Sequence, residues 1–282
     1  MSFRKKFLTL LLLASVPLGA TAEVVKPADA PARKVKTCEA PAPSCPAEEA
    51  EETGPWQGTV ALGLSVATGE DNVVTGSFNS SATYEARPHE LNLVLSAFYS
   101  VKNSRNDANR QFASGEYRYY FLGSWYGFGA SAVERNIQQD LRFRVLVDAG
   151  PGNQFLDRKR PDALLVKEDR ASAQIGLGYQ YQRFSAPGDA TVLSDFVVNL
   201  TATYTMVLVH NIRWSSNSSF ILAPTDLDDW RVLAVTDLTV PLVGNLGLQG
   251  KLTLDYLNGP LLEARQGQQL TFFASLGVSY SF

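Results

Sequence analysis

From Trp56 to the last residue, Phe282, apolar and polar residues alternate with a period of two. "TVALGLSVATG" sets Val60, Leu62, Leu64 and Val66 against Thr59, Ala61, Gly63 and Ser65, and "TGSFNSSATYE" sets Phe78, Ala82 and Tyr84 against Ser77, Asn79, Ser81 and Thr83. "LNLVLSAFYS", "LRFRVLV", "QIGLGYQYQ", "VVNLTATYT" and "LGLQGKLTLDY" repeat the pattern. Neighbouring side chains of a strand point to opposite faces, so this is the signature of strands with one apolar and one polar face. No helical period of any length competes with it, and the region is all-β.

At roughly 19 residues for a strand and its connection, the span from Trp56 holds about twelve strands, each near the length that crosses a bilayer when tilted. Short turns are expected at "RPHE" (Arg87), "LGSW" (Leu122), "DRKRPD" (Asp157), near His210 and at "VGN" (Val243). Longer or more polar connections are expected at "TGEDN" (Thr68), "KNSRNDANRQ" (Lys102), "NIQQD" (Asn136), "SAPGDA" (Ser185), "APTDLDD" (Ala223) and "NGPLLEARQGQ" (Asn258). Short turns at one end, longer loops at the other, and both chain ends on the short-turn side predict a transmembrane antiparallel up-and-down β-barrel of the outer-membrane kind.

The two faces separate a membrane barrel from a soluble one, because a membrane barrel turns its apolar side chains to lipid and its polar ones to the lumen. The polar face carries Glu85, Glu116, Arg118, Arg142, Arg144, Asp148, Arg213, Lys251 and Asp255. The apolar face carries Tyr84, Tyr119, Phe121, Tyr126, Tyr179, Tyr181, Tyr204, Trp214, Tyr256 and Tyr280 near the expected strand ends. Rings with a polar tip suit the membrane interface, so these residues read as two girdles. A soluble lipocalin-like barrel or a sandwich would alternate in the same way, but it has no use for such girdles.

The N-terminal end agrees with export. "MSFRKKFLTLLLLASVPLGATA" has a basic start, a short apolar run and a small-x-small sequence ending at Ala22, which make residues 1–22 a signal peptide for the general secretory route. No cysteine follows where a lipid anchor would need one. Residues 23–55 are rich in Ala, Pro, Glu and Lys, lack an apolar period and include the acidic run "EEAEE", so they read as a disordered periplasmic tether that contacts peptidoglycan or serves as a spacer. Cys38 and Cys45, the only cysteines, can close a small disulfide within the tether; as a metal site the pair lacks two further ligands.

The full chain has 25 basic and 28 acidic residues, and losing Arg4, Lys5 and Lys6 with the signal takes its formal charge from −3 to −6. Phosphate binding needs a basic face, so a nucleic-acid partner is not expected. Catalysis is not expected either. The two histidines, His89 and His210, both fall at short turns on the periplasmic side, and a rim nucleophile facing the medium would have no base beside it. "GNLGLQG" is followed by no helix and is not a phosphate loop, and Asp226, Asp228 and Asp229 lack the remaining ligands of a calcium loop. Neither a cofactor nor a metal is expected.

The chain closes on "FFASLGVSYSF", whose Leu276, Val278, Tyr280 and Phe282 alternate to the final residue. As the last strand of a barrel it must pair with the first, because an unpaired edge is not tolerated in hydrocarbon. It also resembles the C-terminal signature of outer-membrane proteins, which in that class is read by the barrel-assembly machinery. "GLSVATGEDNVVTGSFNSSATYE", then "GEYRYYFLGSWYGFGASAVERNIQQDLRFRVLVDAGPGNQFL", then "IGLGYQYQ" resemble the salt-induced outer-membrane protein family, domain of unknown function 481. The resemblance covers about Trp56 to Phe282 and implies an outer-membrane barrel in a Gram-negative bacterium, with no established activity.

The lumen is then the chemical feature. Eight strands leave an interior filled by side chains and sixteen or more leave a water channel, so about twelve lies between. Glu116, Arg118, Arg142, Arg144, Asp148, Arg213, Lys251 and Asp255 are the candidate lumen-lining residues. The expectation is a narrow channel, ringed by the arginines and open to ions or small solutes, or a passive envelope protein; the alternative is that the arginines pair with the acids and plug a barrel whose role is structural or one of surface contact. The remaining partner is the lipid of the outer membrane.

Overall fold

The computed structural model describes residues 55–67, 73–102, 105–160, 165–184, 192–258 and 270–282. The signal peptide, the tether up to residue 54 and the pair Cys38 and Cys45 lie outside the described residues. The strands are β1 (Trp56–Ala67), β2 (Val73–Ala86), β3 (His89–Lys102), β4 (Arg105–Leu122), β5 (Trp125–Asn136), β6 (Leu141–Lys159), β7 (Val166–Phe184), β8 (Val192–Leu208), β9 (Arg213–Ala223), β10 (Asp226–Val243), β11 (Leu246–Asn258) and β12 (Leu270–Ser281). Each pairs antiparallel with the next, and β12 returns to β1, so the sheet is a closed barrel of twelve strands.

The closing seam joins Thr59 to Ser281, Val60 to Tyr280, Ala61 to Ser279 and Leu62 to Val278. Two further bonds tie in the last residue: Gly58 N donates to Phe282 O at 2.9 Å, and Phe282 N donates to Gly58 O at 3.0 Å. Gly58 is small for a steric reason, since a Cβ there would run into the Phe282 ring, which lies over it. The terminal aromatic therefore both ends the ladder and covers the glycine of the partner strand.

The distribution of burial is inverted relative to a soluble protein. Leu276, Val278, Tyr280 and Phe282 are exposed by 71, 55, 49 and 58%, and Leu62, Leu64, Leu177 and Phe196 are as open. Arg144, Glu134 and Asp255 are exposed by 2% or less. Only a solvent of hydrocarbon makes this the stable arrangement, which is the architecture of an outer-membrane β-barrel. Aromatic pairs mark both edges of the apolar band: Trp56 with Tyr84 and Tyr204 with Trp214 at the end where β1 starts and β12 finishes, and Tyr179 with Phe196 and Trp230 with Tyr256 at the other.

Three expected connections are strand instead. β3 runs to Lys102 and β4 starts at Arg105, so most of "KNSRNDANRQ" continues the ladder. β6 continues past Asp157, which pairs with Arg170, to Lys159. "APTDLDD" is a two-residue turn at Pro224 and Thr225 followed by β10, whose register slips between Asp226 and Trp230. Beyond the apolar band a strand has water on both faces, so its sequence loses the alternation while its backbone keeps the pairing. Tyr126 also departs from expectation. It points inward and is fully buried, its ring packed on Gly152, and its hydroxyl donates to Gln174 Oε1 at 3.1 Å.

Removing Phe282 takes two backbone hydrogen bonds from a short seam, at about 1 kcal/mol each. The truncated chain, and Gly58→Leu, which displaces the ring, are expected to lose the heat-dependent gel shift at a temperature several degrees below that of the native barrel; an unchanged transition would show the seam to be indifferent to its last residue.

Candidate functional site

Alternation sends every second residue of each strand into the lumen, and the charged ones gather in two layers. At the end opposite the chain termini, Glu134 of β5 is the hub. It receives Arg110 Nε of β4 at 2.9 Å, Arg144 Nη1 of β6 at 3.0 Å and Arg231 Nη2 of β10 at 2.7 Å. Arg231 also makes a two-pronged contact with Asp255 of β11, at 2.7 and 2.6 Å, and Arg144 donates to Gln182 Oε1 of β7 at 3.0 and 2.8 Å. Three planar guanidinium groups around one carboxylate satisfy donors and acceptors that would be costly if left alone in a low-dielectric interior.

The position of the partners matters more than their number. In the closed order of strands β5 and β10 stand five apart one way and seven the other, so they belong to opposite walls. The bond from Glu134 to Arg231 therefore crosses the lumen. The 3₁₀ turn Ile137–Gln139 folds in above it, and Gln139 Nε2 donates to Thr271 Oγ1 of β12 at 3.3 Å.

A second layer lies toward the chain termini. Arg118 meets Glu116 at 2.5 Å and Glu90 at 3.2 Å, and Tyr120 donates to Glu90 Oε2 at 2.8 Å. Arg170 of β7 meets Glu168 at 2.6 Å and Glu85 of β2 at 3.3 Å. β2 and β7 are again five strands apart, so this contact also joins opposite walls. Between the layers Asn199 donates to Asp148 Oδ2 at 2.8 Å, and Leu146, Val197 and Ile221 pack together.

The upper layer separates two cavities. One, with about 20 Å³ of free space, lies between β2 to β4 and β11 to β12, with Arg110 and Lys251 in its wall. The other, with about 10 Å³, lies on the far side of the cluster, with Arg144, Asp229 and Arg231 in its wall. Both are bounded by cluster residues, so the ionic group stands as a partition.

Of the candidate lumen residues, Arg144 and Asp255 enter the partition and Arg118 and Glu116 the lower layer, while Asp148 and Lys251 lie on the inward face between. Arg142 does not join Arg144. The β6–β7 register slips between Leu141 and Phe143, Leu141 is buried in its place, and Arg142 is exposed at the rim. Arg213, the first residue of β9, shares the inward parity but is exposed at the end that holds the chain termini. Glu134, Arg110 and Arg231 were not singled out from sequence. The signal was present for Arg231, since Trp230, Val232 and Ala234 flank it with outward parity.

His89 lies on the outer surface, its Nδ1 2.6 Å from the Tyr117 hydroxyl, and Tyr119 packs beside it. Among the described residues no group of three or more His, Cys, Asp or Glu side chains is placed to hold a metal ion.

Residues 60–280 match the family model for the protein of unknown function DUF481. The chain belongs to this family. No curated protein matches the sequence. Among solved structures, the chain is similar to the beta domain of the Bordetella autotransporter BrkA, with 11% identity, 81% of this chain and 98% of that one covered, and a TM-score of 0.38. It is also similar to the translocator domain of the autotransporter NalP from Neisseria meningitidis, with 12% identity, 80 and 86% covered, and a TM-score of 0.40. A bacterial polysaccharide outer membrane secretin shares 7% identity over 80 and 97% of the chains, at a TM-score of 0.36.

Removing one partner of a buried ion pair leaves the other charge uncompensated, which costs about 3–5 kcal/mol. Glu134→Ala leaves Arg110 and Arg144 without their carboxylate and Arg231 with Asp255 alone, and is expected to lose stability of that order in urea-dependent unfolding in micelles, whereas Arg142→Ala at the exposed rim is expected to change it by less than about 1 kcal/mol. Equal midpoints for the two variants would show that the partition contributes nothing to stability.

Proposed function

We propose that this member of the DUF481 family is a non-enzymatic outer-membrane barrel whose lumen is plugged across its width by its own salt bridges. Its work then lies in structure and surface contact, at the loop end toward the medium and at the tether-bearing end toward the periplasm. The observation that carries this reading is the hub at Glu134, which joins arginines from β4, β6 and β10 across the barrel. A side chain bound on three sides and exposed by only 2% has no freedom to swing aside for a passing solute.

The reading as a non-enzyme rests on the placement of the bases. His89 is bonded to Tyr117 on the outer face, and His210 lies in the exposed 3₁₀ turn between β8 and β9, so neither stands beside an inward nucleophile. Export through the general secretory route, recognition of the C-terminal strand Leu276, Val278, Tyr280 and Phe282 by the barrel-assembly machinery, and contact of residues 23–55 with peptidoglycan complete the proposal.

A narrow anion-preferring pore is the second reading, favoured by the two cations in the wall of the larger cavity. Conductance across a planar bilayer distinguishes the two. Folded wild-type protein is expected to give no discrete steps, and the double variant Glu134→Ser, Arg231→Ser, which removes the cross-lumen bond from both sides, is expected to open conducting steps. Steady steps with an anion preference from the wild type would overturn the plugged reading and establish the pore.

A further inference from the structure

The larger cavity has a composition that neither the plug nor the fold requires. Its wall holds two cations, Arg110 and Lys251, and no carboxylate among its lining residues. The acids that answer those cations stand outside the lining. Glu134 bonds Arg110 through Nε, on the partition side. Asp237 faces Lys251 across the β10–β11 ladder and accepts a hydrogen bond from Gln249 Nε2 at 3.4 Å. Among the described residues Lys251 closes no ion pair within 4.0 Å.

Five other lining residues carry donors. Ser77 and Asn79 of β2, Ser96 of β3, and Thr253 and Ser275 of β11 and β12 converge on the same space. Among the described residues none of these five side chains is engaged in a hydrogen bond, although others in the lumen, such as Thr83 with Asn92 and Thr75 with Ser100, are paired. Phe98 and Phe273 meet edge to face at 5.2 Å along one side, and ring edges are the positive part of an aromatic quadrupole. Beyond Phe273 the strands of the seam turn small side chains inward, Ala61 and Gly63 on β1 and Ser275 and Gly277 on β12, which leaves the space.

A wall with one ammonium and one guanidinium charge, unbonded hydroxyls and no acid repels cations and wastes its donors on an apolar guest. We infer that the seam cavity is a binding site for one small inorganic anion, held by Lys251 and Arg110 and completed by the side chains of Ser77, Asn79, Ser96 and Ser275. A compact anion accepts hydrogen bonds from every direction, which is what convergent hydroxyl and ammonium donors offer. In surroundings of low dielectric it also neutralises charge that Asp237 answers from one side only. The free space of about 20 Å³, enough for roughly one or two water-sized groups, limits the guest to a halide or a small oxyanion and excludes a polymer or a lipid headgroup with its chains. The site does not depend on the plugged reading, since it is occupied at equilibrium whether or not solute passes the partition.

The test is the line width of ³⁵Cl in chloride solutions of the full chain, refolded in micelles and checked by its heat-dependent gel shift. A quadrupolar nucleus relaxes fast when bound, so a site that exchanges broadens the whole signal. Wild-type protein is expected to broaden the line saturably beyond empty micelles, inorganic phosphate is expected to compete if an oxyanion fits, and Lys251→Met is expected to weaken chloride binding roughly tenfold. If phosphate leaves the broadening untouched, the guest is a halide; if it displaces chloride, the site takes both. Should Lys251→Met fail to fold, the double variant Ser77→Ala, Ser275→Ala removes donors without touching a charge and carries the same expectation in smaller degree. Folded protein that broadens the line no more than micelles do, or a folded variant that broadens it as much as wild type, overturns the site.

Discussion

Every other feature of this protein follows from the need to leave no backbone group unpaired in hydrocarbon. A sheet that must have no edge has to close, and closure is settled at one place, where β12 meets β1 over four register pairs and the two bonds between Gly58 and Phe282. Closure then inverts the faces. The outer wall is Leu, Val and aromatic residues, and the polar residues have nowhere to go but inward. The inward charges must in turn find one another, because water cannot reach all of them, and so the lumen fills with ion pairs that tie strands far apart in sequence. The seam, the girdles and the partition are consequences of a single constraint acting at three distances from the lipid.

Much of this was legible in the chain because alternation is a local signal with a strict period. Twelve strands, the inward parity of Arg144, Asp148, Lys251 and Asp255, and the lipid-facing terminal strand all follow from counting by two. The failures occur where the count is interrupted. At the start of β6 the register slips, so Leu141 takes the inward place and Arg142, two residues from Arg144, stays at the rim. Tyr126 defeated a different assumption, that an aromatic near a strand end faces lipid. The glycine opposite it, Gly152, leaves room for a ring on the inside, and its hydroxyl finds Gln174 there. The polar stretch after Lys102 reads as a loop by composition and is strand by hydrogen bonding, since composition reports the solvent around a residue and pairing does not depend on it.

The partition was the least legible part, and the reason is geometric. Parity tells whether a side chain points inward, but not which opposite wall it reaches. The contact of Glu134 with Arg231 joins residues nearly a hundred positions apart on strands five apart around the barrel. Nothing local marks Glu134 as a hub, since on its own strand it follows Phe128, Ala130 and Ala132 on the same face and is the sole acid among them. Its role appears only when three arginines from three other strands converge on it.

Strand number alone therefore does not decide whether a barrel of this size conducts. The same twelve-stranded wall would be wider inside with short inward residues throughout, whereas here long ones lie at matching heights on opposite walls and meet. Arg231 and Glu134 do this near the loop end, and Arg170 and Glu85 do it near the chain termini. Where the seam strands offer Ala61, Gly63 and Gly277 instead, a hollow remains beside the Phe98–Phe273 contact. The lumen is thus divided by side-chain length: long charged residues from facing walls meet across it, and short ones near the seam leave a space whose wall holds Lys251 and Arg110 and no carboxylate.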